Sequence, residues 1–424
     1  MAVAVAPARS DSLYDPIEAL APDERARHLA GRLRAAVAAA HAHSPAVRER
    51  LEACGLRPEG VRDLGDLAPL PVLRKDTLPQ AQAASPPFAG LLGAPLSSLR
   101  RVYVSPGPIY DPEPRAPDYW GIAPALHAAG FRAGDVVLVT FAFHLTPAGH
   151  MMDGALDRLG CVVVPGGVGN TETQARALAD LGVTGLIGTP SFVAALLEKT
   201  AGLGLRHRVE VAFTSGEVLP PSLRRRVQEE FGVRVAQGYA TADVGLIAYE
   251  CSRAEGLHLS DRVAVELLDP ETGRAVPPGT SGEVVVTLLE PPYALLRFGT
   301  GDLSAEIPGP CPCGRSASRL TAVVGRVGDA VKIRGLFVHP AEVDRVLRDV
   351  PGVARYQIVV RRPDTVDEAT LRLEIGRDAD AAAVAPRAGE AAHAGLRVRL
   401  VVEVVPPGTI GDAAPTIVDM RRWT

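Results

Sequence analysis

Aromatic side chains are scarce in this chain, 4 % of 424 residues, although 47 % of residues are apolar. The core must therefore be built from Ala, Val and Leu, within an ordinary globular composition. Lysine is scarcer still: Lys75, Lys199 and Lys332 are the only three, so the final 92 residues (424 − 332) contain none. Five cysteines are too few and too unevenly spaced for a disulfide scaffold of this length, and the odd count leaves one over. No apolar run reaches the roughly 18 residues of a membrane span, so no membrane partner is expected. The start, Met1-Ala-Val-Ala-Val-Ala-Pro-Ala-Arg, lacks the basic stretch and long apolar centre of a signal peptide, and the expected location is cytoplasmic. The net charge of −4 comes from interspersed charges of both signs, which excludes a nucleic-acid footprint and leaves small molecules as partners.

The length exceeds what one core organises, so two domains are expected. Residues 22–53 carry Leu29, Leu33, Val37 and Ala40 at helical spacing after Pro22-Asp-Glu, which predicts an N-terminal helical region. From about 117 the pattern alternates between helical stretches and short apolar strands, Val136–Thr140, Cys161–Val164, Gly185–Ile187, Val209–Phe213 and Val233–Val235. Such alternation predicts a parallel α/β sheet. After 256 the strands shorten and turn signals crowd in, predicting a small antiparallel region. Gly325 to Gly335 reads as a hinge, followed by helix Pro340–Arg348, strands Tyr356–Arg361, Thr370–Ile375 and Arg397–Val405, and an Ala-rich helix over 378–394. The expected division is a large α/β domain, 1–324, and a small α+β domain, 325–424.

Four segments recur in order: Thr214-Ser-Gly-Glu217, Tyr239-Ala-Thr-Ala-Asp243, Phe298-Gly-Thr-Gly-Asp302 and Gly325-Arg-Val-Gly-Asp329. Singly each could be a turn, because Gly and Asp cluster in turns. As a series, together with Pro69-Leu-Pro-Val-Leu-Arg-Lys75-Asp and the turn-and-strand stretch Pro270 to Val286, the chain resembles the phenylacetate–CoA ligase-like branch of the adenylate-forming ligases. The resemblance covers nearly the whole chain and implies the adenylate-forming ligase fold, in which the small C-terminal domain acts as a lid. It implies an ATP-dependent, acid–thiol ligase-like enzyme that converts a carboxylate to an acyl-adenylate and passes the acyl group to CoA, a carrier-protein thiol or an amine. A homodimer is left open.

By that resemblance Ser215, Gly216 and Glu217 lie beside the adenine of ATP or AMP, and Tyr239 and Ala242 belong to the same cofactor-binding set, with Tyr239 against the ring. Asp302 would accept both ribose hydroxyls, a task suited to a carboxylate because it offers acceptors to two adjacent donors. Arg326 is expected at the ribose, and Asp329 near the pivot of the small domain. Asp243 falls at the position of the family's Mg²⁺-binding Glu, one methylene shorter.

Two departures stand out. Where the family carries a Ser/Thr/Gly-rich loop ending in Lys, this chain reads Val104-Ser-Pro-Gly-Pro-Ile-Tyr-Asp-Pro112. Pro106 and Pro108 remove backbone donors, and Asp111 and Glu113 are expected to repel phosphate. The family's C-terminal active-site Lys aligns with Ala413, with Arg421 or Arg422 as partial substitutes, although a planar guanidinium does not reproduce a compact ammonium. These departures admit an alternative: a non-adenylating homologue that binds, or transfers a pre-activated acyl group. An ordinary phosphate-loop or dinucleotide enzyme is discounted, because neither glycine pattern follows a strand.

Cys251, His258, Cys311 and Cys313 form the donor set of a closed, structural Zn²⁺ site, and some relatives have a similar arrangement. The alternative is unrelated buried cysteines and a surface turn. An aromatic or other small carboxylic acid is the expected substrate, with Phe141, Phe143, Phe192 and Phe213 as candidate lining and His144 as a candidate acid–base or carboxylate-orienting group.

Overall fold

The computed structural model describes residues 12–421 except 271, 324, 328–330, 334–335, 339, 349, 364–365, 377–378, 397 and 412–413. Two compact units result, Met1–Gly325 and Arg326–Thr424. Of the residues singled out above, Gly328, Asp329, Ala413 and Arg422 lie outside the described residues.

The larger unit is organised by one sheet. Its strands run, in spatial order, Glu306–Ile307, Arg319–Leu320, Leu257–Leu259, Gly245–Glu250, Arg234–Thr241, Val211–Thr214, Gly185–Gly188, Val136–Val139 and Val162–Pro165. The last five are parallel, and the sheet turns antiparallel where Arg234–Thr241 meets Gly245–Glu250. Alternation along each strand feeds two cores: Val137, Val139, Ile187 and Phe213 pack on one face with Leu126, Phe131 and Leu156, while Leu138, Leu186, Ala212 and Val235 pack on the other with Leu178, Leu196 and Val227. Burial on both faces is why these strands read as short, continuous apolar runs.

A second sheet orders Leu73–Arg74, Phe298–Ser304, Gly282–Leu288 and Val263–Leu268. Its buried face joins the N-terminal helices through Leu33, Val37, Leu51, Val286 and Phe298. The helical region divides into Pro22–His43 and Pro45–Ala53, because Pro45 removes a donor and the preceding Ser44 is extended, with φ −110° and ψ 105°. Residues 99–114 form a hairpin of strands Leu99–Ser105 and Ile109–Pro114. Sequence reading expects a loop there, and the prolines sit in its turn and at its edges.

The C-terminal unit carries the sheet Val401–Val404, Glu368–Ile375, Val353–Arg361, Ile417–Asp419, with helices Pro340–Leu347 and Ala381–Leu396. Ile358, Val360, Leu371 and Leu373 from the strands and Val343, Leu347, Ala388 and Ala392 from the helices close a core of its own.

Candidate functional site

The parallel strands deliver their motifs at their C-terminal ends, where loops of open α/β sheets bind ligands. Thr214 ends one strand, and Ser215 is held there by its backbone N–H donating to the Gly188 carbonyl at 3.2 Å. Gly216 has φ +82°, a conformation that lets the chain turn sharply to Glu217. Glu217 accepts from the Ser191 hydroxyl at 2.8 Å and the Ser191 N–H at 3.4 Å, in the first turn of helix Pro190–Gly202. The positive end of that helix dipole favours a carboxylate there.

On the neighbouring strand the register slips between Tyr239 and Ala240, a bulge that re-aims the side chains beyond it. The Tyr239 hydroxyl donates to the Asp302 carboxylate at 2.8 Å and lies 3.1 Å from the Thr300 hydroxyl, which in turn donates to the Val284 carbonyl at 2.8 Å. Two of the motif residues read from the sequence, one on each sheet, therefore meet directly. Gly238, one residue earlier, packs so closely on Phe213 that a Cβ would stand 2.4 Å from its ring. Phe213 is 1 % exposed and belongs to the core, which corrects its expected place in an acyl pocket. Phe141, Phe143 and Phe192 remain half-buried.

Asp243 follows Ala242 in the turn between strands Arg234–Thr241 and Gly245–Glu250 and is fully buried. Its Oδ2 accepts from the Lys75 ammonium at 2.5 Å, and among the described residues its Oδ1 has no partner. Lys75 arrives because Leu73 and Arg74 pair in parallel with Phe298 and Gly299, clamped by an Arg74–Glu283 ion pair. Arg297 fixes the same strand from behind, gripping Glu266 at 2.9 and 3.0 Å and the Ala68 and Leu70 carbonyls at 2.7 and 2.5 Å. Sequence reading names Lys75 only as part of a motif. Its partner lies 168 residues away, a separation that carries no local signal.

Asp111 and Glu113 are not displayed to solvent, contrary to the expectation that they repel phosphate from a loop. Both face inward from the hairpin. Glu113 is neutralised by Arg101 at 3.0 Å and accepts from the Tyr103 hydroxyl at 2.5 Å. Asp111 is fully buried with neither oxygen hydrogen-bonded among the described residues; burial, then the charge of Asp243, push its carboxyl well above the usual range.

His144 is exposed, in the segment before helix Ala148–Leu159. Arg326 opens the C-terminal unit in the short strand Gly325–Arg326. Arg421 is committed within its own unit to Asp419 at 2.5 Å and Asp367 at 3.1 Å, which removes it as a free substitute for the missing lysine.

The Cys/His set converges. The four donor atoms of Cys251, His258, Cys311 and Cys313 all lie within 4.8 Å of one another. The Cys251 and Cys311 sulfurs are 3.7 Å apart, and Cys313 Sγ is 3.4 Å from His258 Nε2. His258 Nδ1 lies 3.2 Å from the Ala317 carbonyl, which orients the ring so that Nε2 faces the sulfurs. Burial lowers His258 to about 4, so the imidazole is neutral, and burial pushes the Cys251 thiol up to about 12.

Comparison with known proteins follows the same lines. Residues 120–287 match the family of AMP-binding enzymes, and residues 335–420 match the AMP-binding enzyme C-terminal domain. The chain is thus an adenylate-forming enzyme by family, with that family's fold. It is 32 % identical over 382 residues to the phenylacetate-coenzyme A ligase of Thermus thermophilus, covering 86 % of this chain and 84 % of that one. The corresponding Escherichia coli ligase is 26 % identical over 387 residues, 86 % of each chain. A crystal structure of 2-hydroxyisobutyryl-CoA ligase with 2-HIB-AMP and CoA superposes with a TM-score of 0.88 at 28 % identity, covering 98 % of this chain and 94 % of that one. Within the adenylate-forming enzymes the chain belongs to the phenylacetate–CoA ligase-like branch.

Proposed function

We propose that this chain is an ATP-dependent acyl-activating ligase that joins a small carboxylic acid to CoA through an acyl-adenylate. The observation that carries the reading is the Tyr239–Asp302 hydrogen bond at 2.8 Å, which joins two separate motif strands at one end of the parallel sheet. Asp302 binds the ribose diol, and Tyr239, by spending its hydroxyl on Asp302, fixes the carboxylate and turns its own ring to the adenine. Ser215 and Gly216 lie along the base edge, and Glu217 holds their loop to helix Pro190–Gly202. In the first step the substrate carboxylate oxygen attacks the α-phosphorus and the bond to the β-phosphate oxygen breaks, releasing pyrophosphate. In the second the CoA sulfur, losing its proton, attacks the acyl carbon and AMP leaves. Catalysis in both is positioning and charge stabilisation.

The phenylacetate and hydroxybenzoate ligases among the relatives, with the half-buried Phe141, Phe143 and Phe192, support an aromatic or similarly small acid. Those relatives favour the ligase over a non-adenylating homologue. Residues 325–424 serve as the lid in this reading, with Arg326 at the ribose.

We further assign Zn²⁺ to Cys251, His258, Cys311 and Cys313. The fit is geometric: tetrahedral Zn–S bonds of about 2.3 Å require sulfurs about 3.7 Å apart, which the Cys251–Cys311 separation matches. Four protein donors close the coordination shell, so the ion ties strands and loops together and takes no part in the reaction.

The test is acid-dependent exchange of labelled pyrophosphate into ATP across a panel of aryl and short hydroxy acids, alongside calorimetry with AMP. AMP binding that is weakened in Asp302→Ala, with exchange for at least one acid, is the expected result. A folded protein that binds neither AMP nor ATP overturns the reading.

A further inference from the structure

Kinship with the adenylate-forming enzymes implies a divalent metal at Asp243, and the residues present do not suit one. A magnesium ion needs near-octahedral oxygen donors at about 2.0–2.1 Å and keeps several waters. Asp243 is fully buried, and its Oδ2 already carries the Lys75 ammonium at 2.5 Å. A dication on the remaining oxygen would face that ammonium across a single carboxylate.

We propose that the Lys75 ammonium is the resident cation of this site, held by Asp243 where the fold family implies a divalent metal, so that the phosphates of a bound nucleotide meet this fixed ammonium. Three observations carry it beyond the ion pair. Lys75 is delivered by design of the sheet, since Leu73 and Arg74 are zippered to the strand that bears Asp302. Its side chain keeps 23 % exposure while Asp243 keeps none, so Lys75 is the open end of the pair. Asp111 and Tyr293, both buried, feel the charge of Asp243, which places two further polar groups near the pair. Burial, and then the charge of Asp243, raise the Asp111 carboxyl above its usual range. The chain lacks a lysine in the 104–112 segment and at position 413, and Lys75 returns one ammonium from the short turn that follows strand Leu73–Arg74.

The inference rests on the nucleotide site proposed above, and its test needs no turnover. Mn²⁺ binding to the zinc-loaded full chain is followed by electron paramagnetic resonance, for the wild type, Asp243→Asn, Lys75→Met and the Lys75→Met/Asp243→Asn double variant. The wild type should show no Mn²⁺ site that Asp243→Asn removes. Lys75→Met should gain Mn²⁺ affinity by about tenfold or more as the competing cation is withdrawn, and the double variant should lose that gain. One Mn²⁺ per wild-type chain, abolished by Asp243→Asn, overturns the proposal, as does a folded Lys75→Met with no gain. Should Lys75→Met fail to fold, calorimetry of AMP with the wild type decides: affinity unchanged within about twofold by Mg²⁺ supports the fixed ammonium, and a dependence of about tenfold or more that Asp243→Asn removes overturns it. A folded protein that binds neither AMP nor ATP would sink the ligase reading and leave the Mn²⁺ readouts standing.

Discussion

Asp302 is reached by the Tyr239 hydroxyl at 2.8 Å, and a carboxylate can accept from more than one donor, as two adjacent ribose hydroxyls require. Asp302→Ala should weaken AMP binding by about ten- to a hundredfold, the range expected for charge-assisted hydrogen bonds of about 1.5–3 kcal/mol. Tyr239→Phe keeps the ring and loses one hydrogen bond, so the loss should be several-fold only; calorimetry separates the two. Asp111 makes a pH prediction. Its folded pKa is raised, so between the ordinary carboxylate value near 3.8 and that raised value the native state binds more protons than the unfolded one. Its contribution is therefore fully present at acid pH and declines as pH rises above about 4. Asp111→Asn should remove this slope: thermal melts should show the variant gaining on the wild type as pH rises above about 4, and a variant that instead loses ground as pH rises would refute the assignment. Gly238 is a packing constraint at the same scale. With a Cβ 2.4 Å from the Phe213 ring, Gly238→Ala should cost about 1–3 kcal/mol, read from denaturant unfolding.

Between residues and the whole chain lie the elements that hold distant segments together. The Cys/His cluster ties strand Leu257–Leu259 to the loops around Cys251 and Cys311, and Arg315 beside it is ion-paired with Glu18 at 3.0 Å. Metal analysis should find one zinc per chain. Cys311→Ser or a strong chelator should lower the melting temperature by about 2–3 °C, corresponding to roughly 2 kcal/mol in a chain of this size. Cys54→Ser, a half-buried cysteine away from the cluster, should leave the zinc content unchanged. The donor set was legible in the sequence because Cys and His are rare enough for their spacing to stand out. The hairpin over 99–114 was not. Its prolines argue against strands, and only the inward placement of Asp111 and Glu113, with Arg101 and Tyr103 across the ladder, shows the two carboxylates to be interior groups. Helix and strand boundaries moved for similar reasons: Val233–Val235 reads as a short strand, but pairing with Gly245–Glu250 extends it to Thr241.

At the scale of the molecule, each unit owns its core. Ile358, Leu371, Leu347 and Ala392 are buried among residues of 326–424, whereas the larger unit is built on three separate clusters. The segment 326–424 expressed alone should therefore unfold cooperatively in a thermal melt followed by circular dichroism; a featureless melt would show that its core is insufficient without the rest of the chain. The missing C-terminal lysine gives a prediction for the complete protein. Ala413→Lys should raise the rate of pyrophosphate release if an ammonium at that position limits the first step, and an unchanged rate assigns the limit elsewhere. Order and spacing of motifs determined the family, the two-part organisation and the members of the Cys/His cluster from the sequence alone, because turn glycines, rare cysteines and strand–helix alternation are local signals. Tertiary structure alone decided which charges meet. Lys75 with Asp243, Arg297 with Glu266 and Tyr239 with Asp302 are set by strand pairing across 168, 31 and 63 residues. Electrostatic energy depends on distance in space and on burial, neither of which is written in the local pattern.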